Sequence, residues 1–203
     1  KTAFRTANTK TFDLGNGQSE KRTYLERVHY QQAGLWEDID TSLIEDANPT
    51  DSTNPLIQGW GEVTSFFTNL KTLKTKANDW QARFAPSDHS AGMVRIIADG
   101  KTLTFKPAGG KPGVAPVVSA QDGHQLVTYN NLWPEVDVEY LIENDTIKES
   151  ILLKSAAAPT SFTFEVTGAE LSGQPNGGFS IVGTNQTLAP LSVTVNQRGV
   201  VSD

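Results

Sequence analysis

An all-β fold, an antiparallel two-sheet sandwich ranging up to a large supersandwich, is what this sequence predicts, and three observations predict it. Short runs of alternating apolar and polar residues recur along the chain, as they do where a strand buries one face. Pairs of turn-forming residues punctuate those runs and supply the positive φ that tight hairpins need. Amphipathic segments of helical length do not alternate with them, which argues against a βαβ arrangement.

The elements follow in chain order. Asn16-Gly17 marks a first hairpin turn. Residues 64–76 hold the one pattern that fits a short helix, with Phe66, Leu70 and Leu73 at helical spacing and Lys71, Lys74 and Lys76 for the solvent side. Asp99-Gly100 precedes the strand run Thr102-Leu103-Thr104-Phe105, and Asp122-Gly123 precedes Leu126-Val127-Thr128-Tyr129. Val136, Val138, Tyr140 and Ile142 form one apolar face, and Phe162, Phe164 and Val166 another. Gly177-Gly178 and the run Leu191-Ser192-Val193-Thr194-Val195 complete the series.

The Pro/Gly-rich residues 107–116 are the most linker-like stretch, and we expect a single β-sandwich domain over residues 1–203 with a crossing loop there. An echo spans the two halves: Leu35-Trp36, two residues, Ile39-Asp40 against Leu132-Trp133, two residues, Val136-Asp137. It suggests a duplicated strand-turn-strand unit or two equivalent corners, with Trp36 and Trp133 as core anchors.

Length and composition narrow the class. A chain of 203 residues can bury roughly 70% of its unfolded surface, enough for one large core. With no cysteine, disulfides, Cys-ligated zinc, iron–sulfur clusters and thiol nucleophiles are excluded. The net charge of −6 and pI near 5.1 lack the cationic footprint of a duplex binder, so nucleic acid is not expected as a partner. Membrane insertion is not expected either, because no apolar run approaches the roughly 20 residues a span needs. The chain opens in a polar pattern and stops at Val201-Ser202-Asp203, as a piece of a larger parent chain would.

Several segments carry a resemblance: Arg5-Thr6-Ala7-Asn8-Thr9-Lys10-Thr11-Phe12-Asp13-Leu14-Gly15-Asn16-Gly17, His29-Tyr30, Trp36-Glu37-Asp38-Ile39-Asp40-Thr41-Ser42-Leu43, Asn78-Asp79-Trp80-Gln81-Ala82-Arg83-Phe84, Lys101-Thr102-Leu103-Thr104-Phe105, Tyr129-Asn130-Asn131-Leu132-Trp133-Pro134-Glu135-Val136-Asp137-Val138-Glu139-Tyr140 and Ile147-Lys148-Glu149-Ser150-Ile151-Leu152-Leu153-Lys154. Together they resemble the N-terminal β-rich region of large bacterial cell-surface proteins of the wall-associated and RHS/YD-repeat type. The resemblance implies a secreted, extracellular, all-β region at the bacterial cell surface. It offers no catalytic signature to carry over.

Site chemistry is sparse. Asp38 and Asp40, in the cluster Glu37-Asp38-Ile39-Asp40, are the candidate metal ligands, with calcium as the ion their oxygens would suit. A solvated strand face explains the same alternation, and no Asp-x-Asp-x-Asp-Gly loop is present. Asp137 and Glu139, two apart on a strand, fit a polar outer face better than the carboxylate pair of a glycosidase. His29 has the setting of a packed histidine, whereas His89 and His124 sit in loop-like surroundings; none has metal spacing. Nucleotide-binding glycine motifs and the serine-hydrolase elbow are missing.

Trp60, between Gly59 and Gly61, and Trp80, after Asn78-Asp79, are the candidate ligand-binding aromatics, because an exposed ring can stack on a sugar face. Lys148 beside Glu149 is the nominee for an isopeptide cross-link, against the plainer solvated lysine. Asn144-Asp145-Thr146 and Asn185-Gln186-Thr187 match glycosylation sequons. The expected function is a non-catalytic extracellular scaffold or adhesion module, not an enzyme, whose partners are a cell-surface glycan or another protein. A carbohydrate-binding module is the alternative, and a sugar-active enzyme on a large sandwich the third.

Overall fold

The computed structural model describes residues 5–46 and 72–190. Among the described residues there is no helix, and seventeen strands pair antiparallel throughout. The fold is all-β, as the alternating patterns predict.

Two hairpins open it: β1 (Thr9–Gly15) with β2 (Gln18–Thr23), and β3 (His29–Gln32) with β4 (Leu35–Asp38). A six-stranded sheet follows, built from β5 (Asp40–Glu45), β6 (Leu73–Ala77), β7 (Trp80–Phe84), β8 (Val94–Ala98), β9 (Lys101–Pro107) and β14 (Phe164–Gly168), in the order β14-β9-β8-β7-β6-β5. A four-stranded meander comprises β10 (Val117–Gln121), β11 (His124–Trp133), β12 (Val136–Ile142) and β13 (Ile147–Leu153). A small sheet of β15 (Leu171–Gly173), β16 (Phe179–Ile181) and β17 (Thr187–Leu188) ends the described chain.

The turn pairs do what their residue types require. Asn16 and Gly17 have φ of 52° and 77°, Asp99 and Gly100 of 50° and 72°, and Asp122 and Gly123 of 51° and 84°. Two successive positive φ values make the type I′ turn, whose twist matches that of the flanking strands. The β3–β4 hairpin uses Ala33 and Gly34 for the same turn, at φ 50° and 79°. Alanine is no turn signal, so the sequence hides this hairpin.

Strand β12 alternates perfectly, with Val136, Val138, Tyr140 and Ile142 buried and Asp137, Glu139 and Leu141 half-buried. Its buried face packs with Val127, Tyr129, Leu132 and Trp133 of β11 against Trp80, Ala82 and Phe84 of β7, in one apolar cluster shared by the two large sheets. Aromatic rings meet across it: Phe84 and Tyr140 at 5.7 Å, Tyr129 edge-on to Tyr140 at 6.1 Å, and Trp133 against Phe162 at 5.0 Å and Phe164 at 5.5 Å. Such pairs add about 0.5–1.5 kcal/mol each beyond burial. The fully buried Tyr129 hydroxyl donates to the carbonyl of Ala85 at 2.9 Å, so this polar tip costs little to bury.

The proline- and glycine-rich residues 107–116 connect the end of β9 in one sheet to the start of β10 in the other. They are tied down along their length. Trp133 Nε1 donates to the Ala108 carbonyl at 3.2 Å, Lys111 N to that of Leu132 at 2.7 Å, and Ser87 N to that of Val114 at 3.0 Å. The Ser87 hydroxyl donates to the Lys111 carbonyl and accepts from Val114 N.

Three expectations change. The short helix over residues 64–76 is not formed where it can be seen: Leu73–Ala77 is strand β6, with Leu73 opposite Phe84, and residues 64–71 lie outside the described residues. Lysines at i, i+2 fit a strand face as well as a helix flank, and pairing with β7 decides between them. The Leu-Trp echo is not a structural repeat. Leu35 and Trp36 follow a turn and run on within β4, whereas Leu132 and Trp133 precede one, with Trp133 paired to Val136 across it. Trp133 is therefore a core residue, and Trp36 is only half-buried outside the core cluster. His124 lies in β11, not in a loop. The run 191–195 lies outside the described residues.

Candidate functional site

The residues singled out in the sequence do not converge. Trp60 lies outside the described residues. Trp80 is 8% exposed, on the core face of β7, with its indole N–H donating to the Asn144 carbonyl at 3.2 Å. Its ring is committed to the core and presents no open face for a sugar, because the strand alternation that buries Ala82 and Phe84 buries Trp80 with them.

Asp38 ends β4 and Asp40 begins β5, in different sheets. Asp38 faces Lys10 at 3.0 Å, His29 Nε2 at 3.2 Å and Arg5 at 3.5 Å. Burial opposes its ionisation, but the Lys10 hydrogen bond and the charges of Lys10 and Arg5 hold its carboxyl below the usual range. Asp40 pairs with Lys76 at 2.7 Å and accepts from Ser42 N and Oγ. Those bonds, Lys76 first, bring its pKa down to about 2. Both carboxylates are thus engaged with protein cations. Among the described residues no three His, Cys, Asp or Glu side chains gather as a metal site.

His29 is 1% exposed and hydrogen-bonds Thr6 O through Nδ1 at 2.8 Å, the packed setting its strand context suggests. Lys148 is 58% exposed and reaches Glu143 at 2.6 Å, away from the apolar environment an isopeptide donor needs. Asp137 accepts from Asn131 N and from Lys154, closing the β11–β12 turn. The Asn144 side chain of the first sequon is taken up by the Arg27 carbonyl at 2.8 Å.

Two clusters escaped the sequence reading. The first centres on Arg27, between β2 and β3. Its Nη1 and Nη2 donate to Asp79 at 2.7 and 3.0 Å, its Nε donates to Asp145, and its backbone N donates to Asp145 at 3.1 Å. Asp79 lies in the β6–β7 turn and Asp145 in the β12–β13 turn, so one guanidinium fork joins the opening hairpins to both large sheets. Asn78 Nδ2 donates to the same Asn144 carbonyl that receives the Trp80 N–H. Hydrogen bonding to Asp79, opposed by burial and assisted by Asp145, raises the Arg27 pKa further. The signal was the dipeptide Asn-Asp, at 78–79 and 144–145.

The second is a shallow concavity lined by Thr72, Arg83, Ala85, His89, Ala91, Gly92 and Arg95, with room for about one water molecule. Lys74, Arg83 and Arg95 stand in one register row across β6, β7 and β8. Like charges opposed in this way repel, and buried Asp46 answers them at 3.3 Å from Lys74 and 3.4 Å from Arg83. His89 accepts from Ala91 N through Nδ1 at 3.2 Å. Burial, and then Arg95, lowers its pKa, with Asp88 opposing. A neutral imidazole beside guanidinium groups can exchange a proton or orient an anion.

No protein-family model and no solved structure matches the chain. It is 29% identical over 153 residues to the wall-associated protein of Geobacillus stearothermophilus, covering 74% of this chain and 55% of that protein. The chain is homologous to wall-associated proteins. It is also 27% identical over 167 residues to the tRNA3(Ser)-specific nuclease WapA of Bacillus spizizenii, and 28% over 170 residues to the tRNA(Glu)-specific nuclease WapA of Bacillus subtilis subsp. natto. Each match covers 81% of this chain and 6% of the relative. The relationship supports the cell-surface location expected from the sequence.

The same relatives overturn three expectations: a non-catalytic scaffold or adhesion module, the absence of enzymatic activity, and the absence of nucleic acid among the partners. Proteins matched over four-fifths of this chain are named as nucleases of tRNA. The acidic balance misled because net charge describes the surface of the segment in hand, while that segment spans 6% of those relatives.

Two outcomes follow for the ion pairs of Arg27 and Asp40. Arg27→Ala is expected to lower stability by about 1–2 kcal/mol, above the ~0–1 of a lone surface pair because the fork is bidentate and spans two turns; an unchanged urea midpoint would show that it joins nothing. Asp40, ionised more readily when folded, stabilises the fold above its ordinary pKa of 3.8 and loses that effect as pH falls toward about 2. Wild type should therefore lose more stability than Asp40→Asn between pH 4 and 2, and parallel losses would refute the assignment.

Proposed function

We propose that this chain is a β-rich part of a wall-associated nuclease that acts on tRNA. The observation that carries the reading is the match, over 81% of the chain, to relatives named for that activity. The activity is proposed of the whole parent protein, since the chain spans only 6% of those relatives and 55% of the wall-associated protein. A parent of the RHS/YD-repeat kind is part of the same proposal, supported by the segment resemblance from Arg5 to Lys154.

We further propose that residues 1–203 act as one domain within that parent. Support comes from the apolar cluster that β7 and β8 share with β11 and β12, and from the pinned crossing between the sheets. A single unfolding transition seen alike by fluorescence and circular dichroism is expected; two separated transitions would sink the proposal.

Incubation of deacylated tRNA with the purified full-length parent, and in parallel with the 203-residue chain, tests the nuclease reading. Cleavage by the parent is the expected result. If the parent leaves every tRNA intact, the reading fails. Cleavage by the short chain as well would place reacting groups within residues 1–203, where His89 and Arg95 would be the first substitutions.

A further inference from the structure

Among the described residues the large sheets have four edges, and three are blunted in ways that discourage further pairing. Strand β5 carries Asp40 and Glu45 and a register break between Asp40 and Leu43. Strand β14 carries Glu165 and ends at Gly168, which has φ 108° and lies close against the Thr102 carbonyl. Strand β13 carries Lys148 and Glu149, and the latter turns to the core side to accept the Tyr140 hydroxyl at 2.7 Å.

Strand β10 has none of these devices. Its sequence Val117-Val118-Ser119-Ala120-Gln121 holds no charge and no proline, its register with β11 is unbroken, and all five residues are exposed. Val117 is 52% and Val118 40% exposed. Val118 pairs with fully buried Val127, on the face of the sheet that meets the core. Among the described residues, the strand next to the core thus carries exposed apolar surface at Val118 on the core side of the sheet.

The turn geometry says which backbone groups face outward. Asp122-Gly123 closes a two-residue hairpin, so Gln121 and His124 form a hydrogen-bonded pair, and bonding alternates from there. Gln121, Ser119 and Val117 face β11. The N–H and C=O groups of Ala120 and Val118 face away from it.

We propose that the β10 edge is a strand-addition site, filled by an uncharged extended segment of the same parent polypeptide. Five residues make a strand about 17 Å long, and its pairing falls far short of the roughly 1,200–2,000 Å² that a stable complex between separate proteins buries. A tethered strand needs no such area, because its effective concentration is set by the connecting chain. This rests on the reading that the chain is part of a much longer wall-associated protein, and relatives that it covers to 6% offer ample polypeptide for the role.

Amide hydrogen exchange at Val118 and Ala120, compared between the 203-residue chain and the full-length parent, tests it. Exchange should be roughly tenfold or more slower in the parent. Ala120→Pro, which removes an outward N–H, leaves the β11 ladder intact and is read at the Val118 amide, and Val118→Lys, which puts a charge on the edge, should each abolish the difference. Equal rates in the two proteins would overturn the proposal. So would protection already present in the short chain, since the covering segment would then lie within residues 1–203. Neither result bears on whether the parent cleaves tRNA, and a parent inactive on tRNA would leave the exchange comparison standing.

Discussion

Everything else in this fold depends on the face-to-face burial of two antiparallel sheets with no covalent cross-link between them. The cysteine-free chain must hold its sheets without disulfides, and the ring contacts of Phe84, Tyr129 and Tyr140 are part of the packing that does so. In a sandwich joined this way, burying a polar atom costs free energy unless it is hydrogen-bonded. The Tyr129 hydroxyl spans the gap to Ala85, and the Trp80 and Trp133 indoles each donate to a carbonyl on a connecting segment. The aromatic core therefore also fixes the loops: one tryptophan holds the β12–β13 turn, the other the crossing between sheets.

That arrangement explains why the clearest aromatic candidate within the described residues is not a ligand site. Trp80 follows a turn, and a turn residue suggests exposure. Its strand then enters the core, and the turn it leaves is gathered around Arg27 and Asn144. The polar residues beside the tryptophan serve the joint between the opening hairpins and the sandwich. Charge is used in the same structural way at Asp38, Asp40 and Asp46, each answered by lysine or arginine from a neighbouring strand. Acids engaged in this way disclose little about what the parent acts on.

Relatives named as tRNA nucleases change the scale on which function has to be considered. Net charge, pocket depth and the absence of motifs describe a 203-residue segment, while the activity in those names belongs to proteins many times longer. The β10 edge, left open among the described residues, fits that scale. Every other large edge carries charge, a bulge or a closely packed glycine, and a module embedded in a long chain can leave one edge open for its own polypeptide without inviting strangers.

Strand identity was legible wherever alternation and turn chemistry agreed. The burial of Val136, Val138, Tyr140 and Ile142 and the three type I′ turns follow directly from residue type, because a two-residue period and a positive φ are local demands. What sequence could not supply were the outcomes set by distant partners. Leu73 and the lysines after it suit helix or strand until β7 lies beside them. Leu35-Trp36 and Leu132-Trp133 look alike until a turn falls before one and after the other. Arg27 is an ordinary surface arginine until residues 52 and 118 positions away bring Asp79 and Asp145 to its fork. Local periodicity determined which residues form strands; only the tertiary structure decided which strands are neighbours, because pairing and ion-pair geometry are set by contacts between segments far apart in the chain.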